Sequence, residues 1–235
     1  LSTLIDDIAT SIQRLSPLPV PEQPLSLEQA YEIQERVAAR ISPNGIAGIK
    51  AGVTAKPLQA MFKIDFALLG RLYENGRLQD GAQLPHLSGR LIECEIACIC
   101  DKTGKVSHIT PAIEFACARF AGPEHATAAN LVAGNVAAEK FLSGGLTSYQ
   151  DDFSSIILKL YCDDELVNEA PVFESLKGPV AAARWIMEEA ELRGFDTGNE
   201  NFLMTGACGK VIPAKPGHYR ADYGELGTLS FSVSG

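Results

Sequence analysis

The stretch Leu91-Ile92-Glu93-Cys94-Glu95-Ile96-Ala97-Cys98-Ile99-Cys100 reads as a strand. Strand geometry sends alternate side chains to opposite faces, so Ile92, Cys94, Ile96, Cys98 and Cys100 share an apolar face. Glu93 and Glu95 then project together from the other face, about 6 to 7 Å apart at Cα. Two carboxylates at that spacing repel each other unless a cation lies between them. A solvated strand face is the alternative reading of this pair alone.

A third carboxylate bears on that choice. Glu114 stands inside Ile109-Thr110-Pro111-Ala112-Ile113-Glu114-Phe115-Ala116-Cys117, an otherwise apolar run. Ionised glutamate is rarely left in such surroundings without a partner. That partner is either an ion-pairing cation, Arg119 or a lysine, or a metal shared with Glu93 and Glu95. Three carboxylates without a neighbouring His or Cys ligand form a hard oxygen-donor set, which suits Mg²⁺ or Mn²⁺ better than zinc.

Upstream of this stretch the texture is helical. Leu4, Ile5, Ile8, Ile12 and Leu15 follow helical spacing behind Ser2, and four prolines from Pro17 to Pro24 stop that helix. Ser26 followed by Gln29 is a capping-box pattern, and Ala30, Ile33, Val37 and Ile41 form the buried stripe of a second helix ending near Ser42-Pro43. After Gly45 come short apolar runs broken by glycine and proline, the pattern of strands and tight turns. A further helix is expected from Pro179 to Arg193, with Gly194 just past its end. Helices first, strands in the middle and a late helix predict an α+β domain with an antiparallel or mixed sheet. The expectation is one domain over residues 1–235, with a helical part at 1–44 and a β-rich, metal-binding core at 45–235.

Bulk properties narrow the partners. The chain has 235 residues, 46% of them hydrophobic, enough for one sizeable core. Its net charge of -9 lacks the basic footprint of a nucleic-acid binder. No run approaches the roughly 18 apolar residues of a membrane span, and no basic stretch leads into an apolar block at the N-terminus. A cytoplasmic location is expected. The six cysteines fall mostly inside apolar runs and lack zinc spacing, so buried reduced thiols are expected.

Gly48-Ile49-Lys50-Ala51-Gly52-Val53-Thr54 is a second constellation. Glycines on both sides hold Lys50 close to the backbone, where it could bind a carboxylate or steady an enolate. An exposed strand lysine beside a turn is the other reading. Lys56 is expected at the surface.

Taken in order, these motifs resemble the fumarylacetoacetate hydrolase superfamily, in particular its 2-keto-4-pentenoate hydratase and 4-oxalocrotonate decarboxylase branch. The resemblance runs from Ala30-Tyr31-Glu32-Ile33-Gln34 through the Lys50 segment, Gly70-Arg71-Leu72, Ile92 to Ala97 and Pro111-Ala112-Ile113-Glu114. It continues through Asn135, Gly178-Pro179, Leu203-Met204-Thr205-Gly206 and Leu226 to Phe231. It implies a mixed β-sheet roll with N-terminal helices and a homo-oligomer, with association with a pathway decarboxylase or hydratase as a further expectation. It implies Mg²⁺ or Mn²⁺ held by Glu93, Glu95 and Glu114, with Lys50 in the active site. It also implies small 2-oxo acid substrates from aromatic catabolism, chelated through the 1-carboxylate and 2-oxo oxygens. Thr54, Asn135 and Thr205 are the substrate-binding candidates, and Asp65 is the candidate for an acidic role near a segment that aligns poorly.

The chain departs from the family pattern at several polar positions. Ala133-Gly134-Asn135 stands where members carry Ala-Asp-Asn, and Cys117-Ala118-Arg119 where they carry Asp-Ser-Arg. Ala207 replaces a serine frequent in hydratases. Three readings follow: a hydratase of a 2-hydroxypenta-2,4-dienoate-like acid, placed first; a decarboxylase of a 2-oxo-hexenedioate, towards which Gly70-Arg71-Leu72 leans; and a member that keeps the fold and metal but serves as a partner subunit.

Overall fold

The computed structural model describes residues 2–235, apart from the side chains of residues 151 and 152. Two helices open the chain. Helix α1 (Ser2–Arg14) buries Ile5, Ile8 and Ala9 and packs on α2 (Leu27–Ile41). The apolar spacing continues to Leu15, but that residue takes a positive φ of 53° and lies beyond the helix end. The capping box forms as expected: Ser26 Oγ accepts from the Gln29 amide and Gln29 Oε1 accepts from the Ser26 amide. A cap of this kind contributes on the order of 1 kcal/mol. Helix α2 buries Ala30, Tyr31, Ile33, Gln34 and Val37 along one face.

The remaining helices are α3 (Lys56–Met61), α4 (Ala128–Ala133) and α5 (Pro179–Leu192). Helix α5 matches the expected span, with Pro179 in its first turn and Gly194 at a φ of +68° beyond its end.

The strands, in chain order, are β1 (Ile46–Gly52), β2 (Leu68–Tyr73), β3 (Arg77–Leu78), β4 (Ala82–Pro85), β5 (Leu91–Cys100), β6 (Val106–Ala116) and β7 (Ala138–Ser143). They continue as β8 (Thr147–Ser148), β9 (Ile157–Cys162), β10 (Glu165–Pro171), β11 (Asn201–Met204), β12 (Ile212–Pro213), β13 (Gly217–Asp222) and β14 (Thr228–Ser234). Nine form one sheet, with the path β2-β1-β11-β5-β6-β7-β3 and with β12 and β8 added beside β5 and β6. Five form a second sheet, ordered β10-β9-β13-β14-β4. The pairs β1–β11, β3–β7 and β4–β14 are parallel and the others antiparallel, so both sheets are mixed. This is the expected α+β class, with helices at the front and a mixed sheet.

One hydrophobic cluster runs through the molecule from Ile5 to Val233 and takes in the apolar face of β5: Ile92, Cys94, Ile96, Cys98 and Cys100. All six cysteines are free thiols; Cys117 and Cys162 are only half-buried, because they lie at or beyond strand ends. Among the described residues, no helix is long and apolar enough to cross a membrane.

Candidate metal centre and substrate cavity

Strand register builds the centre. Antiparallel pairing of β5 with β6 sets Glu93 directly opposite Glu114 and Glu95 opposite Ala112. Cross-strand partners share a face, so all three carboxylates converge on one side of the sheet. Each of the three offers an oxygen, and these atoms lie within 4.8 Å of one another. Glu95 and Glu114 are buried and Glu93 is half-buried.

Lys50 joins this face from β1, where it pairs with Met204 of β11 and Gly70 of β2. Only 2% of the lysine is exposed. Its Nζ lies 2.8 Å from Glu114 Oε1 and donates to the Val136 carbonyl at 2.7 Å. Gly70 makes this possible, since a Cβ there would sit 2.9 Å from Lys50 Cε. The two readings of Glu114, cation pair or metal centre, therefore meet at one place. Arg119 is not involved: its Nη2 donates to the Ser88 carbonyl.

Beyond β11 the chain turns at Gly206, whose φ of +96° suits glycine and whose amide donates to Glu95 Oε2 at 2.8 Å. Glu95 Oε1 and Glu114 Oε2 remain buried without a hydrogen-bond donor among the described residues. Three carboxylates against one ammonium leave an excess of two negative charges in a buried place, which is costly without a counter-ion. The electrostatics agree. Burial, then the Glu114 charge, push the Glu93 carboxyl up to about 7, with Lys50 opposing. Burial, then Glu114 and Glu93, hold the Glu95 carboxyl well above the usual carboxylate range. For Lys50, burial acts downward, but Glu114, Glu93 and Glu95 outweigh it and raise its pKa above the ordinary value. Orphaned hard oxygens and a two-charge deficit fit a divalent cation of the Mg²⁺ or Mn²⁺ kind.

A cavity of ≈ 330 Å³ opens beside the centre, with Lys50 and Glu93 in its wall. The rest of that wall is mostly apolar and includes Val53, Leu58, Phe62, Phe120, Leu131 and Val211. Lys50 and Glu93 are the only ionisable side chains lining it among the described residues. Ala118 and Ala207, where the resemblance led to an expectation of serine, both line it and bring no hydroxyl. Cys117 and Gly134, where the resemblance led to an expectation of acidic residues, line a separate small pocket of ≈ 20 Å³. Leu18 fills that side, and a Cβ at 134 would lie 2.6 Å from its Cδ1.

Of the expected substrate contacts, Thr54 lines the cavity. Thr205 does not: its hydroxyl donates to the Ile96 carbonyl at 2.8 Å, and it is buried. Asn135 is also turned elsewhere, with its Oδ1 accepting from the Arg71 amide and its Nδ2 donating to the Arg71 carbonyl, both at 2.7 Å. Asp65 is exposed in a bend outside the cavity wall, and its carbonyl accepts from Lys56 Nζ at 3.1 Å. These three side chains lie outside the cavity wall. Lys56 is exposed, as expected.

Sequence reasoning missed α3, α4 and the turn after α4. Residues Asn135, Val136 and Ala137 have consecutive positive φ values of 58°, 51° and 62°. Left-handed backbone costs roughly 1 to 2 kcal/mol per non-glycine residue, so three in a row require strong local restraint.

No family model matches the sequence. The structure is similar over nearly its whole length to 4-oxalocrotonate decarboxylase from Pseudomonas putida G7, solved with magnesium and adipate. The TM-score is 0.85 at 22% identity, covering 98% of this chain and 96% of that one. It is also similar to fumarylpyruvate hydrolase from Pseudomonas aeruginosa in complex with Mn²⁺ and pyruvate. There the TM-score is 0.59 at 11% identity, covering 79% of this chain and 88% of that one. The 2-hydroxyhepta-2,4-diene-1,7-dioate isomerase from Mycobacterium marinum matches at a TM-score of 0.55 and 13% identity, over 79% of this chain and 73% of that one. These likenesses show the fold.

Proposed function

We propose that this chain, which has the fumarylacetoacetate hydrolase superfamily fold, is a divalent-metal-dependent decarboxylase of a small 2-oxo-enedioic acid such as 2-oxo-3-hexenedioate. One observation carries the choice of reaction: among the described residues, the cavity has ionisable groups only at the carboxylate centre and is otherwise mostly apolar. Adding water to a carbon–carbon double bond needs a group that positions and deprotonates that water along the carbon chain. Loss of CO₂ needs an electron sink at one end and surroundings at the other that do not hold a carboxylate.

Glu93, Glu95 and Glu114 would hold the ion. A bound Mg²⁺ or Mn²⁺ would act as a Lewis acid towards the 2-oxo and 1-carboxylate oxygens. The C5–C6 bond breaks and C6 leaves as CO₂. Its electron pair forms the C4–C5 double bond, the former C3–C4 pair moves to C2–C3, and the carbonyl pair moves onto the 2-oxo oxygen. A proton on that oxygen completes 2-hydroxypenta-2,4-dienoate.

Lys50 is the cation beside the developing oxygen charge, in a buried setting where such a group acts strongly. Leu58, Phe62, Phe120 and Val211 would surround the departing carboxylate, where neutral CO₂ is favoured over a charge. The likeness to a decarboxylase solved with magnesium and a six-carbon diacid supports this reading.

The purified chain with Mg²⁺ should release CO₂ from 2-oxo-3-hexenedioate while 2-hydroxypenta-2,4-dienoate accumulates. Hydration of the dienol without CO₂ release from the diacid would replace this reading with the hydratase. Failure to turn over either acid would favour a non-catalytic partner subunit.

A further inference from the structure

The turn at 135–137 links a cluster of buried polar groups to Lys50. Asn135 binds both the amide and the carbonyl of Arg71, closing a two-bond clamp between β2 and the end of α4. Arg71 is itself fixed, with its Nη1 donating to Gln34 Oε1 at 2.7 Å and its guanidinium stacked 3.6 Å over the Phe195 ring. Gln34 in turn donates to the carbonyls of Leu69 and Val132. All of these partners are internal to the protein, and neither Asn135 nor Arg71 lines the cavity.

The clamp holds an unfavourable conformation. Val136 sits at φ 51°, ψ 41°, a left-handed region that β-branched residues avoid. Val136 lines the cavity, and its carbonyl accepts from Lys50 Nζ. In an ordinary extended or right-handed connection that carbonyl would aim elsewhere. The Lys50 ammonium would then keep the Glu114 carboxylate and lose its carbonyl acceptor.

We infer that Asn135 is a positioning residue: by clamping Arg71 it stores the left-handed turn that aims the Val136 carbonyl at Lys50 and so fixes the ammonium at the cavity wall. Its part in turnover rests on the reading of Lys50 given above. Its effect on Lys50 does not. Backbone strain at a site is retained only where the surroundings over-determine it, and the two bonds from one amide are that determination. Glycine at 136 would accept the same backbone without strain and keep the carbonyl, so it should make the clamp dispensable.

The test follows the Lys50 ammonium by proton–nitrogen correlation spectroscopy of the metal-free protein, with Lys50→Met identifying its signal. Wild type should give a slowly exchanging ammonium signal. Asn135→Asp, which keeps the acceptor for the Arg71 amide but loses the donor, should broaden or remove it. The double variant Asn135→Asp with Val136→Gly should restore it. Turnover of the Mg²⁺-loaded enzyme should follow the same order, with kcat falling at least tenfold and recovering most of that loss, while KM and Mg²⁺ affinity stay within about threefold. An unchanged signal in Asn135→Asp overturns the inference, as does a loss that Val136→Gly fails to repair. If Asn135→Asp does not fold, Val136→Gly in the otherwise native chain must preserve the Lys50 signal; its loss there refutes a role for the carbonyl as the stored turn presents it. A wild type without turnover would defeat the decarboxylase reading, yet leave the ammonium signal to decide this one.

Discussion

Glu93 and Glu114 are direct cross-strand partners, but only Glu114 is engaged by Lys50. The two carboxylates therefore differ in what their loss does to the protein. Glu93→Gln removes one of the three charges available to a cation and also relieves repulsion between the carboxylates. Glu114→Gln leaves the Lys50 ammonium buried with its main counter-charge gone, a loss of the kind that costs about 3 to 5 kcal/mol. Both should lower Mg²⁺ affinity at least a hundredfold by calorimetry. Thermal melting without metal should separate them: Glu93→Gln at or above the wild-type midpoint, Glu114→Gln many degrees below it. Equal melting of the two variants would contradict the assigned pairing.

The metal-free protein should weaken as pH rises. Burial and neighbouring charge raise Glu93 to about 7 and hold Glu95 higher than its ordinary value, so the folded state binds protons more tightly than the unfolded chain does. Stability from Glu93 is complete below the unfolded value of 4.5 and is lost as pH climbs through its folded value of about 7, and Glu95 acts in the same direction. Saturating Mg²⁺ binds the ionised carboxylates and should reverse the trend, adding about 2.7 kcal/mol at a hundred times the dissociation constant. Denaturant titrations from pH 5 to 8, with and without Mg²⁺, would show diverging stabilities. Parallel lines would mean that the three carboxylates are not the metal centre.

Much of this site is legible in sequence because it depends on local periodicity. Alternation along residues 91–100 is enough to put Glu93 and Glu95 on one face, and an apolar setting is enough to mark Glu114. Flanking glycines likewise mark Lys50. The pairing of Lys50 with Glu114 is less accessible, since it depends on β11 inserting between β1 and β5. Helix α3 has six residues, no side-chain cap and a proline in its first turn, too little to show a helical period. The turn at 135–137 opposes local preference: nothing in Asn-Val-Ala favours left-handed backbone at valine, and the clamp that imposes it reaches 64 residues back to Arg71. Asn135 and Thr205 stand at motif positions, and their polar atoms are used on backbone instead.

Lys50→Met should separate binding from chemistry. Removing the ammonium takes away no ligand and leaves the centre more negative, so Mg²⁺ affinity should hold or increase. Stabilisation of charge on the 2-oxo oxygen would be lost, and removal of one such donor typically lowers kcat about 10² to 10³-fold. Measuring kcat on 2-oxo-3-hexenedioate beside Mg²⁺ affinity checks this directly. A variant in which both fall together would make Lys50 part of the metal centre alone.

The apolar end of the cavity can be tested by adding the charge it lacks. Val211 is 38% exposed and lines the cavity, so a longer polar side chain there can reach inward without being forced into the core. Val211→Arg would offer a fork of donors to the far carboxylate of a diacid. If that carboxylate leaves as CO₂ because its surroundings do not hold it, a cation should bind the ground state more tightly than the transition state, in which the charge is moving away. KM for the diacid should then fall, with kcat falling about tenfold or more, the pattern expected when ground-state binding is added. A 2-oxo monoacid inhibitor of equal length with an apolar end should bind less well than to wild type. A rise in kcat would instead mean that the enzyme lacks a positioning contact, and that the apolar wall does not promote CO₂ loss.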